Sequence, residues 1–281
     1  MNPKKYVGAS VLGPSPRAKY KKELLEAFDW VQKKPCTEFT IRSNDGLNLH
    51  ARLLKSPNPV GCVMLFHGFR SSPERDFNIM IPFLYENNYS LLLVDVRAHG
   101  KSGGRYMTYG VKEGEDCALW ANELSKRFPA LPLFAFGTSM GAATVMFASD
   151  KPLANVKGII ADCGFTSPWD VLAFSWRRKM RTSPKLIMPF ISIWIRLLCG
   201  YNPKRRTADR LKNTKVPCFF IHGKTDATIP YAMTVENSGA CAAWHKLLLV
   251  ENGEHCTNFI VANEEYCQEL LSFLKRYEHE S

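Results

Sequence analysis

No stretch of this sequence is long and apolar enough to span a bilayer. The most lipid-like run, residues 186–195, is broken by Pro189 and falls well short of the about 20 residues a spanning helix needs. The first 13 residues hold two lysines but no apolar run of signal-peptide length behind them, so export by that route is not expected. No CxxC pair occurs, and the nine cysteines are an odd number, several of them inside apolar runs such as VGCVMLF (Cys62) and VPCFFIHG (Cys218). This suits reduced, buried thiols of a cytoplasmic protein rather than a disulfide framework. No Cys/His cluster suggests a metal. Zinc-finger spacing, an RNP-like aromatic motif and a basic zipper are all missing, so the net charge of +11 is not read as nucleic-acid binding. Its basic clusters, Arg177-Arg178-Lys179 and Lys204-Arg205-Arg206, read as solvated faces. Repeats and low-complexity segments are absent.

What remains is a 281-residue chain, 46% hydrophobic, with enough apolar material for one large core. From Thr37 onward, short apolar runs alternate with longer helical patterns. TEFTIRS and LNLHARLL alternate in polarity around Asn44-Asp45-Gly46, as in a hairpin. GCVMLFH, SLLLVDV, LPLFAFG, VKGIIADC, VPCFFIHG and HKLLLVEN follow, nearly continuous in apolar residues, as parallel strands buried on both faces are. Helical segments fall at residues 76–87, 111–128, 139–150, 231–241 and 264–277. The order predicts an α/β fold with a mostly parallel eight-stranded sheet flanked by helices.

About fifty residues separate the strand ending at Cys163 from the one near Val216, too many for a plain connection. Ser167-Pro168-Trp169-Asp170 is a helix start, Ser183-Pro184 looks like a second, and Gly200 can end that second helix. Residues 165–212 therefore read as a small helical cap, rich in aromatics that include Trp169, Phe174 and Trp194. These three are candidate contacts for an apolar acyl or aryl group, although cap aromatics equally serve packing. Residues 1–35 form an N-terminal appendage to the main domain, 36–281. Leu24, Leu25, Phe28 and Val31 fall at helical spacing in a basic amphipathic helix. Packing on the body is the favoured role for that helix, with membrane or partner contact as the alternative.

Two pentapeptides match the G-x-S-x-G pattern of a hydrolytic serine, GKSGG around Ser102 and GTSMG around Ser139. A nucleophilic serine of this kind sits on a sharp turn between strand and helix, among small residues. Ser139 follows the apolar run LFAFG and precedes Gly141-Ala142-Ala143, whereas Ser102 lies in a turn-like stretch, GGRYMTYG. Ser102 is read as a loop-shaping residue. Gly-Lys-Ser does not make a phosphate-binding loop, because the first glycine of that motif would fall on Asp95.

A serine hydroxyl needs a base, and the base an orienting acid. His255, in NGEHCTNF just past the last strand, is placed to be the base. Asp226, in FFIHGKTDATIP after the penultimate strand, is the favoured acid, with Asp162 at the end of GIIADC as the competitor. His222 is expected to stabilise its loop. Donors for a developing oxyanion are expected from the backbone N–H groups of Met140 and of Phe69, where Gly68 allows close approach. His67 beside them is read as a buried histidine bonded to the loop backbone.

LFHGFRSS, LLVDVRAHGKSGG, FAFGTSMGAATVM, IIADCGFTS, FFIHGKTDATIP and ENGEHCTNF, in that order, resemble the α/β hydrolases, and within them a bacterial esterase and serine-aminopeptidase-like branch. The resemblance runs from about Thr37 to the C-terminus. It implies an ester-hydrolysing core with Ser139, Asp226 and His255 as the triad, Phe69 and Met140 at the oxyanion hole, and DVRAHGKSGG as a structural loop beside the site. The expected reaction is cleavage of a small-molecule carboxylic ester through an acyl-enzyme, without metal or organic cofactor. Thioester or peptide cleavage on the same triad, a non-catalytic binding role, and lipid hydrolysis at a membrane through the N-terminal helix and cap are the alternatives.

Overall fold

The computed structural model describes residues 17–277. Eight strands form one sheet: β1 (Thr37–Arg42), β2 (Asn48–Leu54), β3 (Gly61–Phe66), β4 (Tyr89–Asp95), β5 (Leu133–Thr138), β6 (Val156–Asp162), β7 (Cys218–Gly223) and β8 (His245–Val250). Their spatial order is β1-β2-β4-β3-β5-β6-β7-β8. The β1–β2 hairpin turns at Asn44-Asp45-Gly46, where Gly46 takes a φ of 82°. β2 pairs antiparallel with β4, and every later pairing is parallel.

The continuous apolar runs are explained by layers on both faces. In β3, Cys62, Met64 and Phe66 join a core shared with Trp120 and Met146, while Val63 and Leu65 join one shared with Leu84, Tyr266 and Leu270. Alternate side chains thus point to opposite cores, and no residue of β3 can be polar. The first core is closed by α4 (Glu113–Arg127) and α5 (Met140–Ala148), the second by α1 (Lys21–Gln32), α3 (Met80–Glu86) and α11 (Asn263–Arg276). Every residue of α5 is buried, and its one polar side chain, Thr144, donates back to the Met140 carbonyl. α1 places Leu24 and Val31 inside and stacks Trp30 edge-on to Tyr85 of α3 at 5.3 Å, so its apolar stripe is occupied by the body.

Two local readings need correction. The helix expected over residues 76–87 is split into α2 (Pro73–Asp76) and α3. Asn78 lies between them, its side-chain Oδ1 accepting from the Ile79 N–H and its Nδ2 donating to the Leu24 carbonyl, which diverts the backbone from a continuous helix. Between β6 and β7 lie α6 (Pro168–Met180), capped by Ser167, then α7 (Met188–Cys199), ended by Gly200 at φ 70°, and the short α8 (Ala208–Leu211). Ser183-Pro184 does not start α7. The Pro184 carbonyl accepts from both Ile187 and Met188 N–H groups in a separate turn, and the helix proper begins at Met188. The remaining helices are α9 (Tyr231–Gly239) and the short α10 (Asn258–Val261).

Candidate active site

The ends of β5, β7 and β8 lie on one edge of the sheet, and the loops that leave them carry the three candidate residues. Ser139 sits between β5 and α5 with φ 55° and ψ −116°, a conformation an L-residue reaches only under strain. The flanking glycines make it possible. A Cβ on Gly137 would lie 2.0 Å from the Gly141 carbonyl oxygen, and one on Gly141 would lie 1.8 Å from that of Phe66. The strand, the elbow and the helix are therefore in contact at backbone level, and the serine is pushed out over the sheet edge.

The loops after β7 and β8 are pressed together in the same way, since a Cβ on Gly223 would fall 2.0 Å from the Gly253 carbonyl oxygen. The Thr225 N–H and hydroxyl both donate to that carbonyl, at 3.1 and 2.8 Å. This brings Asp226 and His255 together. His255 Nδ1 lies 2.7 Å from Asp226 Oδ2, and His255 Nε2 lies 3.0 Å from Ser139 Oγ. The other carboxylate oxygen of Asp226 accepts from the Thr228 and Ile229 N–H groups at 2.7 and 2.9 Å. Burial alone would raise the Asp226 pKa, but hydrogen bonds from His222 and His255 hold it well below the usual carboxylate range. For His255, burial opposes the charge; the sulfur of Cys256 and the Asp226 carboxylate outweigh it and raise its pKa well above the ordinary value.

Asp162, the competing acid, faces away from His255. It accepts from Asn258 Nδ2 at 2.6 Å and from the Tyr266 hydroxyl at 2.9 Å, and burial pushes its pKa up to about 6. His222 bridges Thr234 Oγ1, Asp226 Oδ2 and the Ile229 carbonyl, and so braces the acid's loop. Ser102 is bound into the loop after β4. Its hydroxyl donates to the Asp95 carbonyl at 2.5 Å and accepts the His50 N–H at 2.8 Å, while the Asp95 carboxylate takes the Lys101 N–H.

The Gly68 N–H donates to Asp76 Oδ2 at 2.7 Å and the Arg70 N–H to His99 Nε2 at 3.1 Å. Between them, the Phe69 N–H has no acceptor among the described residues. The Met140 N–H is one of the first of α5, which no carbonyl of that helix can accept. A Cβ on Gly68 would come within 3.1 Å of Ser139 Cβ, so a side chain there would crowd the serine. Both groups are available to a developing negative oxygen. His67 accepts from the Val96 N–H at Nε2 and donates from Nδ1 to the Gly68 carbonyl. Burial holds its pKa down at about 4, so it remains neutral.

A cavity of about 450 Å³ opens over Ser139. Phe69, stacked at 5.7 Å on Tyr109, forms one wall with Phe165. Val171, Leu172, Ser175, Arg178 and Lys179 of α6 form another, at the i, i+4, i+7 spacing of a single helix face. Trp169, Phe174 and Trp194 do not line the cavity, which corrects their assignment as substrate contacts. Trp169 and Phe174 fall outside the α6 stripe that faces it, the first lying under Lys204 Nζ at 4.7 Å, and Trp194 is 61% exposed on α7. Aromatic content marks a cap but not the face it presents.

Three contributors escape the linear sequence. Asp76 fixes the Phe69 loop through Gly68 and through Ser71, whose hydroxyl lies 2.6 Å from its carboxylate; the Ser72-Pro73 helix start was the available signal. Cys163 and Cys256, each at positive φ, meet with sulfurs 3.6 Å apart beside His255. Ligand atoms of Cys163, His255 and Cys256 lie within 4.8 Å of one another. Both ring nitrogens of His255 are nevertheless engaged by Asp226 and Ser139, leaving a metal two sulfurs and no free imidazole. All nine cysteines carry free thiols.

An eight-stranded, mostly parallel sheet with a strand-to-helix serine elbow defines an α/β hydrolase. The family model for serine aminopeptidase, S33, matches residues 57–206, more than half of the chain, which therefore belongs to this family of hydrolases. An uncharacterized relative, YqkD of Bacillus subtilis, is 26% identical over 258 residues, covering 90% of this chain and 82% of its own. The esterase Pf2001 of Pyrococcus furiosus superposes with a TM-score of 0.73 at 23% identity, over 89% of this chain and 94% of its own. The acylaminoacyl peptidase of Pyrococcus horikoshii gives 0.62 at 15% identity, over 88% of this chain and 43% of that longer one. Among the described residues, no helix is long and apolar enough to cross a membrane.

Proposed function

We propose that this hydrolase cleaves small carboxylic esters, with Ser139 as nucleophile, His255 as general base and acid, and Asp226 as the group that orients His255. The observation that carries this reading is the unbroken chain Ser139 Oγ to His255 Nε2 at 3.0 Å and His255 Nδ1 to Asp226 Oδ2 at 2.7 Å, at the floor of an open cavity. His255 takes the Ser139 proton as Ser139 attacks the ester carbonyl. The Phe69 and Met140 N–H groups receive the negative oxygen, and Asp226 stabilises the imidazolium. His255 then protonates the departing alcohol and activates water to release the acid.

The charge of the cavity favours esters over aminopeptidase substrates. A free amino terminus calls for a carboxylate, yet among the described residues Asp76 is the one carboxylate lining the cavity, and it already accepts from Gly68 and Ser71. Arg75, Arg178 and Lys179 line the same cavity and repel an ammonium group. Apolar walls and a cationic rim suit an apolar acyl group, with an anionic group tolerated at the mouth.

A panel of p-nitrophenyl acyl esters, an acyl-CoA and aminoacyl amides tests the assignment, together with a fluorophosphonate probe. Ester turnover with covalent label on Ser139, both lost in Ser139→Ala, is expected. Good cleavage of the amides or thioesters with hardly any ester turnover would overturn the substrate class, and label on Ser102 would overturn the nucleophile.

A further inference from the structure

We propose that the outward face of α7 is a docking surface for an anionic lipid membrane. α7 is apolar on two sides. One side, with Met188 and Ser192 buried and Ile195 and Cys199 half-buried, seats the helix on the protein. The other side carries Phe190, Ile193, Trp194, Leu197 and Leu198, each more than half exposed, and Leu186 in the preceding turn is 84% exposed. With 3.6 residues per turn these six side chains fall on one stripe, opposite the seated one. A helix that is apolar all round is normally covered on every side, and among the described residues nothing covers this one.

The charge of this part of the chain, of which Arg178 and Lys179 also line the cavity over Ser139, selects the occupant. Across residues 171–203 the chain carries six cations, Arg177, Arg178, Lys179, Arg181, Lys185 and Arg196, and no carboxylate. All six are exposed, and none forms an ion pair among the described residues. A second copy docking by the same face would set two such groups of cations against each other with no carboxylate between them, which disfavours a symmetric dimer. An anionic headgroup layer instead offers counter-charge to the cations and hydrocarbon to the stripe. Trp194 suits the boundary between the two, where the amphipathic indole is favoured. The N-terminal helix, which the sequence offered as a membrane contact, has its apolar stripe turned into the body and leaves that role to α7. Arg178 and Lys179 also line the cavity over Ser139, but flotation reads the surface without turnover, so neither reading stands or falls with the other.

Flotation of the purified protein with phosphatidylcholine vesicles, with and without phosphatidylglycerol, at low and high salt tests the proposal. The protein is expected to float with the anionic vesicles at low salt, to be released by high salt, and to stay unbound with phosphatidylcholine alone. Tryptophan emission, to which Trp194 is one of six contributors, should shift to the blue on binding. Phe190→Ser/Ile193→Ser/Leu197→Ser should weaken binding at least about tenfold, and Arg181→Glu/Lys185→Glu by about fivefold or more per charge. Thermal melting that matches wild type will show that both variants fold. No flotation with anionic vesicles, undiminished flotation of the triple variant, or a wild-type dimer that becomes monomeric in the triple variant would each overturn it.

Discussion

Replacing Asp226 by Asn is the most informative single change at the proposed triad. Oδ1 of Asp226 receives two backbone N–H groups, from Thr228 and Ile229, and only an oxygen can stay there. The Asn side chain must therefore keep its oxygen at that position and turn its NH₂ toward His255 Nδ1 and His222 Nε2. His255 can meet a donor at Nδ1 only as the tautomer whose hydrogen is on Nε2, and that nitrogen can no longer accept the Ser139 proton. The imidazolium that forms during attack also loses its counter-ion. Two unit charges about 4 Å apart at an effective dielectric of about 20 attract by about 4 kcal/mol, which is about three decades in rate. Steady-state hydrolysis of a short p-nitrophenyl ester should show kcat lower by about three decades or more with KM little changed. The carboxylate also raises the His255 pKa, so wild-type kcat/KM should rise with pH through an inflection above the ordinary value of about 6.5. In Asp226→Asn that inflection should move to lower pH. A loss of less than about tenfold, or an inflection that does not move, would refute this account of the acid.

Two further predictions concern the scaffold around the site. Gly141→Ala should destabilise the protein by about 2 kcal/mol or more in urea unfolding, because the added carbon meets the Phe66 carbonyl at 1.8 Å, whereas Gly239→Ala on α9 meets nothing within 4 Å and should be neutral or slightly stabilising; equal effects at the two positions would contradict the packing described. Burial holds His67 at about 4, so between about pH 6.5 and 4 the unfolded chain binds a proton the folded protein refuses, and stability falls with falling pH by up to about 3 kcal/mol from this group. His67→Gln should be less stable at pH 7 but flatten the decline toward pH 4.5, and stability curves running parallel to wild type would exclude His67 as a source of it.

The strands were legible because burial on both faces leaves little room for polar residues, and β3 to β5 are written almost wholly in apolar letters. The serine was legible because a strained elbow needs small neighbours, and Gly137 and Gly141 stand where backbone meets backbone. That Asp226 and His255, the proposed acid and base, lie near Ser139 could be read from their places just past the last two strands, since a parallel sheet brings such loops to one edge. The cavity wall could not be read, because it depends on which face of α6 turns inward. Trp169 and Phe174 share that helix with Leu172 and Ser175, and only the packing separates them. The Cys163–Cys256 contact joins two loops 93 residues apart, and no local pattern announces it.

The family match ends at residue 206, before the proposed acid and base, and His255 stands 116 positions after Ser139. If Ser139, Asp226 and His255 act as proposed, a ribosome that has delivered Ser139 has made an inert hydroxyl, and it stays inert until β7 and β8 have been added at the sheet's edge. Hydrolysis by this chain would then report that its last strands have been added, and an N-terminal fragment that holds the serine elbow would be silent toward esters however well it folds.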